Sequence, residues 1–139
     1  MSAYAYTVTP FLAWLLAGVL KFAINSVKAR RLAYDLIGYG GLPSNHSAIV
    51  SSMATLIALR AGIDTPEFGV ALTLAFIVIL DASSLRRQIG KQAAAINQLR
   101  GLENNDSNFL RVRMGHTRLE IVAGILVGIF TALCVSSLI

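Results

Sequence analysis

The stretch IVAGILVGIFTALCVSSLI, residues 121–139, contains no charged side chain. About 20 consecutive, mostly apolar residues are enough for a helix to cross a membrane, so this stretch predicts a transmembrane helix. The whole chain has the same character, because 55% of its 139 residues are hydrophobic and only 14% are charged. Soluble domains usually carry about 25% charged residues. These proportions argue against a soluble globular enzyme and exclude a disordered chain.

Three more apolar stretches lie upstream, and together the four predict an all-α, polytopic membrane protein with a single domain, residues 1–139. The predicted spans are residues 8–27, 44–61, 68–85 and 119–139. A retained first span is favoured over a signal peptide, because no basic residue precedes Lys21. The second span is rich in Ser and Ala, small residues that suit a helix inside the bundle. An amphipathic stretch between Ile89 and Leu110 predicts a short interfacial helix and a loop.

Small residues in the last span indicate how it packs. Gly124 and Gly128 form a G-x-x-x-G pair, which allows close approach of another helix. We expect this contact to lie within the monomer, with a homodimer as the alternative. Cys134 is the single cysteine, so it can form no internal disulfide and is expected to be a small buried apolar residue.

The distribution of basic residues predicts the orientation. Ten of the twelve Lys and Arg side chains fall in the segment after the first span or in the segment between the third and fourth. With four spans these two segments share one side, which the positive-inside rule makes cytoplasmic. Both termini then face outward. The net charge of +5 therefore reflects topology, and no basic and aromatic pattern of a nucleic-acid reader is present.

The first polar motif is GGLPSNHSA, residues 40–48. Its glycines and proline precede Ser44, which can cap the helix that follows. Free N–H groups and the positive dipole end make such a helix start a site for anions, and His46 lies in its first turn. The alternative is an ordinary helix cap with an incidental histidine.

The second polar motif is MGHTRLE, residues 114–120. On a helix, His116 and Glu120 are four residues apart and share a face. A carboxylate on one imidazole nitrogen leaves the other nitrogen free to attack or to accept a proton. The alternative is that Thr117 and Glu120 form a capping box that begins the last span.

The third polar motif is DASSLRR, residues 81–87. Arg86 and Arg87 either anchor the span at the interface or hold a phosphate with their planar guanidinium groups. Lys21 either reaches the membrane surface or turns into the bundle. Asp81 is expected to pair with one of these bases. The carboxylates are scattered, so we predict no metal site and no cofactor.

These three motifs together resemble the divergent branch of the superfamily of type-2 phosphatidic acid phosphatases and vanadium haloperoxidases. That branch has a G-G-M-P-S-S-H-S-A motif, which residues 40–48 follow except at Leu42 and Asn45. Its block D-A-x-x-x-R-R, followed by G-x-Q-A and an Asn, is matched by residues 81–97. Its block L-G-H-T-P-x-E corresponds to residues 114–120, where Met114 and Arg118 replace the Leu and the Pro.

The resemblance implies residue roles in phosphoryl transfer. His116 would be the nucleophile, Glu120 would orient it, and His46 would protonate the leaving group. Ser44 and the backbone near Asn45 would hold phosphate oxygens.

The cations depart from the superfamily pattern. The first-motif lysine would be Lys21, here followed by Lys28 without a proline. The superfamily's Arg six residues before the nucleophile would be position 110, which is Leu110, so Arg86 or Arg87 is expected to supply that cation.

The predicted function is metal-independent hydrolysis of a membrane lipid phosphate or isoprenoid (di)phosphate through a phospho-histidine at the cytoplasmic face. Vanadate is the expected inhibitor. Two rival functions are a non-catalytic protein that binds anionic lipid headgroups or scaffolds a partner, and a small transporter or flippase subunit.

Overall fold

All regular structure in the described part of the chain is helical. The computed structural model describes residues 4–32, 41–103 and 106–138. Five α-helices follow one another within these ranges, namely α1 (Ala5–Ala29), α2 (Asn45–Arg60), α3 (Pro66–Leu80), α4 (Arg86–Leu99) and α5 (Arg118–Leu138). A π-helical segment, Asp81–Leu85, joins α3 to α4 without a break. The predicted all-α class is confirmed.

Among the described residues, three helical stretches are long and apolar enough to cross a membrane. They are α1, the continuous helix from Pro66 to Leu99, and α5. They contain or overlap the predicted spans 8–27, 68–85 and 119–139, although Ile139 lies outside the described residues. Within the described chain, α2 with its 16 residues is not among the helices that meet this criterion. Its crossing of the membrane therefore stays a prediction.

The continuous helix from Pro66 to Leu99 has 34 residues, roughly 50 Å at 1.5 Å per residue. A bilayer core is only about 30 Å thick, so one end must project beyond it. Because α3 is apolar while α4 carries the charged side chains, α4 is the end that projects. The stretch predicted as a separate interfacial helix therefore continues from the third span.

Helix α2 lies at the centre of the bundle, packed against α1, α3 and α5. Small residues allow this close packing, since Cβ atoms added at Gly124 and Gly128 would collide with the N-terminal half of α2. The Ser51 hydroxyl also lies 3.3 Å from the Ile125 carbonyl oxygen across this contact. The glycine pair is thus used within the monomer, as predicted.

The outer faces of the long helices are apolar. Large side chains there are more than half exposed, among them Phe11, Trp14, Phe76 and Phe130. Exposed apolar surface on this scale is unfavourable in water but suits contact with hydrocarbon. The chain is a helical membrane protein.

After α4 the chain turns back and runs along that helix towards the π-helical segment. We call residues 109–117 the return segment, which has no regular secondary structure. The Asn97 side chain bonds the backbone of Leu110, and the His116 N–H donates to the Ala82 carbonyl oxygen at 2.9 Å. The return segment thereby brings His116 to the start of α4.

Candidate active site

The N-terminus of α2 forms one wall of the site. Ser44 is the N-cap, and its hydroxyl oxygen accepts a bond from the Ser47 N–H at 3.3 Å. Its own N–H donates to the Glu120 carbonyl oxygen at 2.8 Å, which ties this helix start to the start of α5. His46 follows in the first turn of α2. Two segments far apart in sequence, residues 44–48 and 116–120, therefore meet.

The start of α5 supplies the second histidine. His116 Nδ1 lies 3.1 Å from Glu120 Oε2, and both side chains are nearly buried. Because α5 begins at Arg118, His116 precedes the helix, which corrects the expectation that both residues share a helical face. The contact forms because a helical side chain tilts towards the N-terminus, which aims Glu120 back at His116.

Glu120 has two roles at once. Its Oε2 accepts from the Thr117 N–H at 3.0 Å, while the Glu120 N–H donates to Thr117 Oγ1 at 3.3 Å. This reciprocal pair is a capping box. The same oxygen also faces His116, so the capping and histidine-orienting interpretations of the sequence hold together.

The π-helical segment positions a cation. Arg86 Nε lies 3.3 Å from Asp81 Oδ2, which fulfils the expectation that Asp81 pairs with a base. Residues five apart do not share a face of an α-helix, but the wider i→i+5 turn of a π-helix brings them together. Arg86 also places Nη2 3.3 Å from His46 Nε2. Since arginine can only donate, that ring nitrogen is the acceptor.

The two imidazoles lie side by side, with ring centres 6.0 Å apart and planes tilted by 56°. Reacting atoms approach to about 3–3.5 Å, and hydrogen bonds reach about 2.6–3.2 Å. Both rings can therefore contact one phosphoryl group. The partly buried Lys21 is close enough to attract Glu120 electrostatically and to repel positive charge on His46.

Two buried polar atoms at this helix start lack partners among the described residues. They are Asn45 Oδ1 and His46 Nδ1. Since buried polar groups are nearly always hydrogen-bonded, such atoms often mark a functional site. Asn45 stands where the family motif has its second Ser.

Other predicted residues are less directly placed. Arg87 is exposed, about 100° around the helix from Arg86. The Ser44 hydroxyl is fully buried and engaged with Ser47. Lys28 is exposed near the end of α1, and Gly40 lies outside the described residues. In the described ranges, His, Cys, Asp and Glu form no group of three that could hold a metal ion.

Asn97 is the Asn that closes the block of residues 81–97, but no role was predicted for it from the sequence. It is only 3% exposed and holds the return segment that carries His116. The sequence signal for that role was weak. Asn97 is the polar member of a face otherwise formed by Gly90 and Ala93, both buried.

Chemically, the site can hold an anion and act on it. His116 Nδ1 is held by Glu120, which leaves Nε2 as a base or nucleophile. Arg86 and Lys21 supply positive charge near His46. This set of groups suits phosphoryl transfer.

Comparison with known proteins agrees with the family resemblance of the three motifs. A family model described as the divergent PAP2 family matches residues 4–131. The chain is 33% identical over 135 residues to the "Uncharacterized membrane protein YuiD" of Bacillus subtilis (strain 168), with 86% of this chain and 85% of that protein covered. No solved structure matches.

Proposed function

Because the chain belongs to the divergent PAP2 family, we propose that it is a metal-independent membrane phosphatase acting on a lipid phosphate or an isoprenoid (di)phosphate. The observation that carries the proposal is the pair of imidazoles 6.0 Å apart. One ring is held by a carboxylate and the other contacts a guanidinium group. A helix cap or a membrane anchor needs neither pairing.

The first step is attack on phosphorus. His116 Nε2 forms the new N–P bond while Glu120 holds the proton on Nδ1 and stabilises the positive charge that develops on the ring. The bond from phosphorus to the leaving oxygen breaks, and His46 donates the proton which that oxygen needs. Arg86 and Lys21 neutralise the phosphoryl oxygens.

The second step releases phosphate. His46, now unprotonated, accepts a proton from a water molecule as the water attacks phosphorus and the N–P bond breaks. For the first step, His46 Nε2 must carry a proton. Arg86 must therefore turn from that nitrogen to the phosphoryl oxygens when substrate binds.

The location of the site supports an amphiphilic substrate. Apolar exposed faces on α1, α3 and α5 adjoin the polar ends that carry the histidines. A phosphate headgroup could therefore reach the site while its hydrocarbon chain stays in the bilayer. The positive-inside rule puts this site, within our proposal, at the cytoplasmic face with both termini outside.

Activity assays test the proposal. The protein, purified in detergent with EDTA, is offered phosphatidic acid and a prenyl diphosphate, and phosphate release is measured. We expect His116→Ala to abolish release and His46→Ala to slow it on the order of 10²-fold or more. Vanadate should compete with substrate, because it adopts the geometry of the transition state.

A matched control is Arg60→Gln, which removes a base at the opposite end of α2 and should leave release unchanged. Equal rates for the unaltered chain and both histidine variants would contradict the enzyme proposal. A graded loss of lipid affinity in arginine variants, with the histidines indifferent, would instead favour headgroup binding without catalysis.

A further inference from the structure

We propose that Asn97, distant from the two histidines, is a positioning residue for His116. Asn97 would act by anchoring the return segment. The inference rests on the proposed function, in which His116 is the nucleophile. The Asn97 amide donates from Nδ2 to the Leu110 carbonyl oxygen at 2.8 Å and accepts from the Leu110 N–H at 2.9 Å. One side chain thus satisfies both backbone groups of one residue.

The chemistry of this contact is specific to an amide. Only Asn and Gln side chains offer an N–H donor and a carbonyl acceptor in one plane, and Gln would be one carbon too long here. Asn97 is 3% exposed, so both bonds are shielded from water. Leaving a buried polar group without its partner is costly, and the contact is therefore a firm anchor.

The return segment is fixed again at its other end. The His116 N–H donates to the Ala82 carbonyl oxygen at 2.9 Å. Gly115 precedes it with φ 86°, a conformation that favours glycine. Between the two anchors, the Val112 carbonyl lies so close to Gly90 that a Cβ there would collide with it.

Only five residues separate the two anchored positions, Leu110 and His116. This short stretch contains a turn of its own, in which the Met114 N–H donates to the Val112 carbonyl oxygen at 2.9 Å. Without the Asn97 side chain, both of its bonds to the Leu110 backbone are lost. We therefore expect the return segment to loosen and His116 to shift relative to His46.

Asn97 acts at a distance from the groups that bind phosphate. Its side-chain bonds are made with the backbone of Leu110, whereas Arg86 lies at the other end of α4 and Lys21 lies in α1. Its loss should therefore impair the chemical step and spare binding. A merely destabilising change would also lower the apparent kcat, through a smaller folded fraction, but it would raise hydrogen–deuterium exchange in α2 and α5 as well.

Kinetics in detergent with Asn97→Ala test this. We expect kcat to fall about 10- to 100-fold, the scale of a misplacement near 1 Å, with KM changed less than about twofold. Asn97→Asp keeps the acceptor for the Leu110 N–H but sets an oxygen against the Leu110 carbonyl oxygen, so it should lower kcat at least as much as Asn97→Ala. The control is Gln98→Ala, an exposed amide on the same helix, which should behave like the unaltered chain. A raised KM with unchanged kcat, or an equal loss in the control, would overturn the proposal.

Hydrogen–deuterium exchange provides a readout that needs no phosphatase activity. In Asn97→Ala, amides of residues 110–116 should exchange faster, while α2 and α5 keep their protection. Unchanged exchange in residues 110–116 would contradict the anchoring role even in an active enzyme. Faster exchange there in a chain that hydrolyses nothing would uphold the anchor and reject only the proposed function.

A second variant tests the proposal if Asn97→Ala unfolds the protein. If Asn97→Ala also exposes α2 and α5 to exchange, Gly90→Ala becomes the deciding variant, because its Cβ would push on the Val112 carbonyl. It should lower kcat with α2 and α5 still protected. A Gly90→Ala protein with normal kcat and normal exchange would overturn the proposal.

Discussion

Replacing Glu120 by Gln separates the two roles of that side chain. Gln is nearly isosteric, and its carbonyl oxygen can still accept the Thr117 N–H, because Gln also serves in capping boxes. The substitution removes the negative charge that faces His116 Nδ1 at 3.1 Å. Glu120→Gln therefore keeps the start of α5 and weakens the support of the nucleophile.

The expected loss of kcat in Glu120→Gln follows from the burial of His116 and Glu120. The His116 and Glu120 side chains are 8% and 12% exposed, so solvent screens their interaction little. Hydrogen bonds to charged groups contribute about 1.5–3 kcal/mol when buried. At about 1.4 kcal/mol per factor of ten, kcat should fall about 10- to 100-fold, with little change in KM.

Thr117→Ala is the matched counterpart. It removes the hydroxyl that accepts the Glu120 N–H at 3.3 Å and leaves the bond between Glu120 and His116 in place. Loss of an N-cap costs about 1 kcal/mol of stability and should change kcat by less than about twofold. Steady-state hydrolysis gives kcat for both variants, and unfolding by a denaturing detergent gives their stability.

The two variants must therefore show opposite profiles. Glu120→Gln should be stable and slow, and Thr117→Ala should be less stable and fast. A Glu120→Gln protein with full kcat would refute the orienting role of the carboxylate. If Thr117→Ala loses kcat to the same extent, the capping box rather than the charge controls the site.

Three further predictions concern the cation, the helix packing and the orientation. Arg86→Gln should lower kcat/KM about 10- to 100-fold through lost charge-assisted bonds, whereas Arg87→Gln should match the unaltered chain; equal effects would reject the choice of Arg86. Gly128→Ala should destabilise the bundle by about 1–3 kcal/mol, measured by unfolding in detergent, because the new Cβ meets Ser51; an unchanged stability would contradict the packing. A cysteine introduced at Lys91 should react with an impermeant thiol reagent only in inside-out vesicles, and labelling in right-side-out vesicles would reverse the orientation.

The positions of the long helices could be predicted from the sequence for a physical reason. Apolar runs long enough to cross a bilayer stand out from the polar segments that join them, and the structure has helices at each. Pairing between Gly124 and α2 was also foreseeable, since small residues are what close helix contacts require. That α4 continues α3 was not foreseeable, because charges begin at Asp81 while the helix does not end.

The candidate site was predictable in its residue types but not in its geometry. The spacing of His116 and Glu120 indicated a contact, yet the contact forms across a helix start rather than along a helix. Arg86 could not be distinguished from Arg87, because the π-helical segment changes which arginine faces the bundle. Asn97 closes the block of residues 81–97, but its contact with Leu110 is thirteen residues away, so no local pattern indicated its role.

The most direct test of the central claim is detection of the phosphoryl group on His116. The protein is mixed with an activated aryl phosphate, whose leaving group needs little help from an acid, and quenched at alkaline pH, where phospho-histidine survives. Mass spectrometry then locates the adduct. We predict one phosphoryl group on His116, at higher occupancy in His46→Ala because water attack is slower there. Turnover without that adduct in either protein, or an adduct on another residue, would contradict the mechanism.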